Sequence, residues 1–127
     1  MFQVRNLGGG ERRTAPRQTV TYRMDVIAEG DGNGCVLDLS LSGMRVRFPR
    51  GFDISGTQTL RIEFPRWLEL GKGLEVRGRF AWIRTAERGA TEGGFAFDGL
   101  SRKEQNLLEQ LLRRLVEAVA EDLALPR

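Results

Sequence analysis

The sequence predicts a mainly β fold, a six-stranded antiparallel β-barrel followed by a C-terminal α-helix. Short stretches of alternating polar and apolar residues recur along the chain, separated by residues that favour turns, which is typical of half-buried strands. After residue 100 the spacing of the apolar residues becomes helical. Several short strands favour a closed or nearly closed barrel, because closure removes unpaired sheet edges. The 127 residues are enough for one domain.

Residues 1–18 are predicted to form a flexible, arginine-rich N-terminal arm. Gly8, Gly9 and Gly10 do not hold regular structure, and Pro16 disfavours a helix, so the arm is expected to be extended or turned. Residues 1–23 contain five arginines and one glutamate, whereas the charges from residue 101 onward balance. The excess positive charge of the chain, +3 in total, therefore belongs to the arm and indicates an anionic partner.

Residues 19–100 are predicted to form the barrel, with strands around 19–27, 35–39, 44–48, 60–64, 74–84 and 94–97. The glycine-rich segment 30–34 is predicted to be a turn. The first strand is expected to bury one face: Val20, Tyr22, Met24 and Val26. In the third strand Met44, Val46 and Phe48 are expected to face inward, since successive side chains alternate between faces. Arg45 and Arg47 are expected to face outward.

Residues 101–124 are predicted to form an amphipathic helix. Ser101 and Glu104 have the spacing of a capping box, in which each side chain accepts a backbone N–H of the other residue. Apolar residues recur behind it at helical spacing: Leu107, Leu108, Leu111, Leu112, Leu115, Val116, Val119 and Leu123. Such a stripe needs a partner surface. Either it closes one end of the barrel, or part of it, 112–123, forms a homodimer or recruits another protein.

The composition argues against an enzyme. Histidine is absent and Cys35 is the only cysteine, so a zinc site or a Cys–His nucleophile is not expected, and no cofactor is predicted. One cysteine forms no internal disulfide, which is typical of a cytoplasmic protein. No apolar run approaches the roughly 20 residues of a membrane span, and the N-terminus has no secretory signal. A cytoplasmic location is expected.

The first candidate binding motif lies in the arm, where Arg12, Arg13 and Arg17 are close together in sequence. The planar guanidinium group can bind a phosphate, or the O6/N7 edge of guanine, through two hydrogen bonds. It can also stack on a base. By itself, such a cluster is more often a solvated arm or a loose polyanion-binding patch.

The second motif is Asp38, Ser40 and Gly43. On a strand Asp38 and Ser40 point to the same side, and an outward carboxylate and hydroxyl can read the N1–H and N2 amino groups of guanine. Gly43 permits a sharp turn where the backbone approaches a ligand closely. By itself, this segment is more often a turn whose side chains satisfy their own backbone.

The two motifs together resemble the PilZ domain: Arg-x-x-x-Arg at Arg13 and Arg17, then Asp-x-Ser-x-x-Gly from Asp38. The resemblance covers roughly 11–100 and extends to the segments 78–82 and 93–97. It implies a six-stranded barrel with a flanking helix that binds cyclic di-GMP. By the family pattern, Arg13 and Arg17 hold phosphate and the Hoogsteen edge of guanine, while Asp38 and Ser40 contact the other guanine. Gly43 lets the ligand lie against the strand.

Two further residues bear on this interpretation. In similar proteins an arginine at the position of Arg12 accompanies an intercalated dimer of the nucleotide, which favours two ligands per chain. Trp82 either stacks at the edge of the site or belongs to the core. The receptor is expected to signal to an unidentified downstream protein. Two alternatives stay open: a nucleotide-independent interaction module working through the helix, and a small barrel that binds nucleic acid without specificity.

Overall fold

The computed structural model describes residues 4–6, 16–19, 23–28, 32–51 and 55–124. Within these ranges all strand pairs are antiparallel. The strands are β1 (Val4–Asn6), β2 (Pro16–Thr19), β3 (Asp25–Ala28), β4 (Gly32–Leu39), β5 (Gly43–Phe48), β6 (Gln58–Glu63), β7 (Gly73–Thr85) and β8 (Thr91–Phe97). Short 3-10 turns follow β6 and β7, at Arg66–Leu68 and Glu87–Gly89, and the helix α1 spans Arg102–Ala124.

Strands β3 to β8 form a closed barrel. They follow one another in the order β4-β3-β6-β7-β8-β5, and a further pairing between β4 and β5 closes the ring. β1 pairs with β2, and β2 pairs with the end of β4, outside this ring. The predicted six-stranded antiparallel barrel with a C-terminal helix is therefore confirmed.

Strand β5 follows the predicted alternation along its whole length. Met44, Val46 and Phe48 are fully buried in the core, while Arg45 and Arg47 remain partly exposed on the outer face. Each large apolar side chain buried in this way contributes roughly 1.5–3 kcal/mol to the transfer free energy that drives folding. The regular alternation of side chains in β5 therefore places its apolar residues in the core of the barrel.

The continuous strand predicted over 19–27 is wrong. β2 ends at Thr19 and β3 begins at Asp25, and both lie along the same edge of β4. The strand β4 has eight residues, so it accommodates β3 at its first half and β2 at its last residues. Met24 and Val26 are buried as predicted, whereas Val20 and Tyr22 lie outside the described residues.

The turn predicted over 30–34 is wrong for its last three residues, because β4 begins at Gly32 and includes Gly34, whereas residues 30 and 31 lie outside the described residues. A Cβ on Gly34 would lie 2.4 Å from the carbonyl oxygen of Arg47 and 2.8 Å from the ring of Phe48. Gly34 therefore serves close packing against β5 rather than a turn. Gly32, with φ of +87°, does adopt a conformation that favours glycine.

Helix α1 begins with the predicted capping box. The Ser101 N–H donates to Glu104 Oε1 at 2.8 Å, and the Glu104 N–H donates to Ser101 Oγ at 3.1 Å. Leu108, Leu111 and Leu115 are fully buried and belong to the same apolar cluster as the barrel interior. The helix therefore packs on the barrel core with this stripe, the first of the two predicted roles. In the described part of the chain, no helix has the length and apolar character that crossing a membrane requires.

Candidate ligand-binding site

The segment that carries the arginine motif runs beside the end of β4. Thr19 in β2 lies opposite Asp38, and Gln18 lies opposite Leu39. Because the strands are antiparallel, the backbone of Arg17 comes next, at the end of β4 where Ser40 follows. Arg12 and Arg13 lie outside the described residues, as does the side chain of Arg17. The backbone of the second motif arginine and the Asp-x-Ser segment therefore share one edge of the barrel.

A β-bulge turns Asp38 to the outer face. Val36 lies opposite Val46, but the next paired residue, Asp38, lies opposite Arg45, and the register shifts between them. A strict period of two would place Val36 and Asp38 on the same face. Instead Val36 is buried in the core, and Asp38 shares a face with Arg45. The extra residue of the bulge reorients the carboxylate, as bulges near functional sites often do.

Asp38 is on the outer side of the barrel, but its side chain is only 4% exposed. The Nε of Arg45 donates a hydrogen bond to Asp38 Oδ2 at 2.9 Å. A buried carboxylate requires such a charged partner, since burial of an unpaired charge is very costly. Arg45 therefore fixes the orientation of the predicted guanine-binding carboxylate.

Ser40 is fully buried and takes part in a local turn. Its hydroxyl accepts a hydrogen bond from the Ser42 N–H at 3.2 Å and donates to the carbonyl oxygen of Gly43 at 3.3 Å. Ser40 Oγ also lies 3.1 Å from Ser42 Oγ. Such contacts with the neighbouring backbone are the usual role of serine in turns. The hydroxyl thus positions the connection between β4 and β5 in this structure.

Gly43 is required by the neighbouring strand. A Cβ at this position would lie 2.5 Å from the carbonyl oxygen of Phe95 in β8, a backbone atom that cannot move aside cheaply. Gly43 thereby lets β5 and β8 approach closely beside the turn. In the Asp-x-Ser-x-x-Gly segment, Asp38 therefore points to the outer face, Ser40 forms hydrogen bonds within its own turn, and Gly43 allows β5 to approach β8 closely.

Trp82 lies on the outer face, in line with Asp38. The barrel pairs Trp82 in β7 with Gly94, Gly94 with Arg45, and Arg45 with Asp38. Trp82 is 43% exposed, so it is not the core residue that one reading of the sequence allowed. A Cβ on Gly94 would lie 2.2 Å from Trp82 Nε1, so the indole covers this glycine. These paired positions form a row across the outer face of the barrel. Gly94 and Arg45 lie in this row between the exposed indole of Trp82 and the carboxylate of Asp38.

A second carboxylate, Glu92, holds three arginines on the same face, and sequence reasoning missed it. Arg84 Nη2 lies 2.9 Å from Glu92 Oε1, Arg47 Nη1 lies 3.1 Å from Oε2, and Arg45 Nη1 lies 4.0 Å from Oε1. Burial by itself would raise the pKa of Glu92. The hydrogen bond from Arg84 and the charges of Arg84, Arg45 and Arg47 outweigh burial, and the pKa is lowered.

The ion pairs around Glu92 could not be predicted from the sequence, because the residues that form them are distant in the chain. Arg47 and Glu92 are 45 residues apart and meet only through the pairing of β5 with β8. The outward-facing arginines of β5 were a usable signal, but their partner depends on the register. In the described ranges, no group of three or more His, Cys, Asp or Glu side chains is arranged to bind a metal.

Comparison with known proteins identifies the family of this barrel. The sequence profile of the PilZ domain matches residues 11–114, and the chain therefore belongs to the PilZ domain family. A search of curated proteins finds no match.

Solved structures share the fold at low sequence identity. The PilZ domain of YcgR from Escherichia coli, solved with c-di-GMP, is 14% identical with a TM-score of 0.69, over 89% of this chain and 98% of that domain. The Bacillus subtilis inhibitor of motility MotI (DgrA) is 20% identical, with a TM-score of 0.65 over 84% of this chain. MrkH of K. pneumonia in its apo state is 10% identical, with a TM-score of 0.64 over 84% of this chain. The chain spans 52% of the MotI and MrkH chains.

Proposed function

We propose that this protein is a receptor for cyclic di-GMP and that it acts by binding rather than by catalysis. The observation that carries the proposal is the pairing of β2 with the end of β4, where Thr19 lies opposite Asp38. This pairing joins the arginine-rich segment to the Asp-x-Ser-x-x-Gly turn. Membership of the PilZ family and the c-di-GMP complex of the similar YcgR domain support the choice of ligand.

The ligand carries two phosphates and two guanine bases, and the site offers groups suited to both. Arg13 and Arg17 supply planar cations for phosphate and for the Hoogsteen edge of one guanine. Asp38, held by Arg45, supplies an acceptor for the N1–H and N2 amino groups of the other guanine, with Ser40 beside it. Gly43 keeps the turn close to β8, so that the ligand can lie against the strand.

Two further contacts complete the proposed site. Trp82 offers an exposed indole on the row that leads to Asp38, where a base can stack. Arg12 extends the cationic segment, and with it the site takes two intercalated nucleotides per chain. Ordering of the arm by these charge-assisted contacts then changes the surface that a downstream protein reads, in the cytoplasm.

Calorimetric titration with cyclic di-GMP tests the proposal and yields the stoichiometry at the same time. Arg13→Ala and Arg17→Ala should each weaken binding about tenfold or more, because a bidentate contact contributes roughly 1–3 kcal/mol. Arg61→Ala, a matched change of charge on β6, should bind like the parent. Parent-like binding by both arm variants would refute the site. A stoichiometry of one would refute the intercalated dimer alone.

The same outer face also suits single-stranded nucleic acid, because three arginines and an exposed tryptophan lie together there. This alternative predicts binding of an unstructured oligonucleotide with a steep dependence on salt. Filter binding at two salt concentrations separates the two functions. Tight, salt-sensitive oligonucleotide binding without a calorimetric signal for cyclic di-GMP would favour the alternative.

A further inference from the structure

Strand β8 contains two adjacent glycines in its interior, Gly93 and Gly94. Glycine inside a strand lowers stability, because it loses more backbone freedom on folding than other residues and has no side chain to pack. Neither of these glycines adopts a positive φ, so the backbone conformation does not require them. Glycine within a strand also marks places where another group approaches closely, and the surroundings of the pair show two such groups.

The two glycines make room for different aromatic rings. A Cβ on Gly93 would lie 2.8 and 2.9 Å from two ring atoms of Phe80, whose ring packs on Phe95. A Cβ on Gly94 would lie 2.6 and 2.9 Å from Cε2 and Cδ1 of the Trp82 indole, and closer still to Nε1. Gly93 is buried, whereas Trp82 is exposed. Gly93 therefore serves the core of the barrel, and Gly94 serves its outer face.

The contact with Gly94 fixes how the indole lies. All three of the indole atoms nearest to the added Cβ belong to the five-membered ring, so this ring lies across the glycine. Because Trp82 is nevertheless 43% exposed, much of the ring is open to solvent. An aromatic ring held against the backbone in this way is suited to stacking with a base, since every base has a π face. A ring that is already fixed also loses little conformational entropy when a ligand binds.

The position of the indole relative to Asp38 suits the proposed ligand. Gly94 in β8 pairs with Arg45 in β5, and Arg45 pairs with Asp38 in β4. Neighbouring strands are about 4.8 Å apart, so Gly94 and Asp38 are separated by two strand spacings, roughly 10 Å. Cyclic di-GMP carries two guanine bases on one ring of sugars and phosphates. One base can therefore meet the carboxylate while the other lies on the indole.

We propose that Gly94 is a positioning residue of the ligand-binding site. It keeps the Trp82 indole flat against β8, so that a guanine base of cyclic di-GMP stacks on the open part of the ring. Gly94 acts through the indole and not through a contact of its own with the ligand. The inference rests on the proposed receptor function and adds to it a residue outside the two sequence motifs. A purely structural role, in which the indole only covers the glycine, would affect stability and leave the ligand affinity unchanged.

Calorimetric titration with cyclic di-GMP tests the inference through a double-mutant cycle. Trp82→Ala should weaken binding roughly tenfold, as expected for the loss of a base stacked on an aromatic ring. Gly94→Ala should weaken binding roughly fivefold, because the added methyl group displaces the indole from its stacking position. In the Trp82→Ala background the Gly94→Ala change should alter the affinity by about twofold at most, because no ring remains to be displaced.

Two further variants separate positioning from stability. Gly93→Ala is the same substitution at the adjacent glycine, on the core side, and should lower thermal stability while binding like the parent. Trp82→Phe keeps a flat ring and should retain more affinity than Trp82→Ala. All affinities are compared at a temperature below the melting transition of each variant.

Fluorescence gives an independent measurement of the stack. The chain has two tryptophans, so a Trp67→Phe background leaves Trp82 as the reporter. Saturating cyclic di-GMP should quench this emission, because a base stacks on the indole. The quenching should be smaller in Gly94→Ala, where the ring is displaced.

Two results, obtained with a parent protein that binds cyclic di-GMP, would overturn the inference alone. One is parent-like binding by Trp82→Ala. The other is an equal loss of affinity from Gly94→Ala with and without the Trp82 ring, which would assign the loss to the strand itself. A parent protein that binds no cyclic di-GMP would instead refute the receptor function, and the inference with it.

Discussion

The neighbouring strands β4 and β5 are paired along their length, yet they carry out different tasks. In β5 every second side chain is buried, and its pairing with β8 runs from Gly43 to Phe48 without a shift of register. In β4 the register shifts between Val36 and Asp38, and the alternation changes face at that point. The regular strand contributes apolar side chains to the core. The bulged strand directs a carboxylate to the outer face.

Strand β7 contains a bulge like that of β4. Its shift of register between Phe80 and Trp82 separates a ring packed in a T-shaped contact on Phe95, with centroids 5.0 Å apart, from an exposed indole. Both bulges therefore change the face to which the next side chain points, so that Asp38 and Trp82 lie on the outer face of the barrel. The candidate site lies on the row that connects them.

Deletion of a single residue should give the largest difference in stability between a change in β5 and a change in β4. Deletion of Arg45 would place Met44 directly beside Val46 and turn one half of β5 to the wrong face, so cooperative unfolding should be lost. Deletion of Leu37 removes the residue that has no partner in β5, so every pairing between β4 and β5 survives and the loss should be no more than about 2 kcal/mol. Urea denaturation followed by circular dichroism measures both. Equal losses would contradict the assignment of the bulge.

Truncation of side chains should give the next largest difference. Phe48→Ala removes a fully buried ring from β5 and should lower the free energy of unfolding by about 3–5 kcal/mol. Leu37→Ala, at a half-buried position of the bulge, should cost only about 1 kcal/mol. The midpoints of urea unfolding at constant slope provide the values. A Leu37→Ala cost as large as that of Phe48→Ala would place Leu37 in the core.

Substitution of Gly43 and of Gly94 by alanine should lower the stability of the protein to different extents. Gly43→Ala drives a Cβ against the Phe95 carbonyl oxygen and should cost about 1–3 kcal/mol, since backbone must move. In Gly94→Ala the atoms nearest to the added Cβ belong to the Trp82 indole, which can rotate away, so this variant should cost less and shift the fluorescence of Trp82. Measurement in a Trp67→Phe background isolates that signal. An unchanged emission spectrum would show that the indole does not cover Gly94.

The smallest expected effect concerns acid stability of the outer face. The arginines lower the pKa of Glu92 below its ordinary value of 4.5, so the folded protein binds this proton less readily than the unfolded chain. The resulting stability is present above pH 4.5 and is lost as the pH falls through the lower folded pKa. Glu92→Gln should therefore be less stable at neutral pH and lose less stability on acidification. The free energy of unfolding of both proteins is measured by urea denaturation at a series of acidic pH values. An equal loss of stability with falling pH in the two proteins would contradict the prediction.

Several parts of the candidate site could be selected from residue types alone. Asp38, Ser40 and Gly43 stand out because their side chains suit a guanine or a tight turn, and Trp82 because it is a large aromatic residue. Their surroundings could not be read in the same way. The hydrogen bond of Arg45 to Asp38 joins residues seven apart, and Glu92 meets Arg47 across two strands far apart in the chain.

The sequence by itself determined the features that arise from local chemistry: the two faces of β5, the capping box of α1 and the choice of a strand-rich barrel. The tertiary structure decided the rest. It separated β2 from β3, extended β4 to Gly32, turned Asp38 outward and divided the pairing of β7 between β6 and β8 at Gly78. The reason is that a strand's period follows from successive side chains, whereas its register and bulges follow from hydrogen bonds with strands distant in the chain.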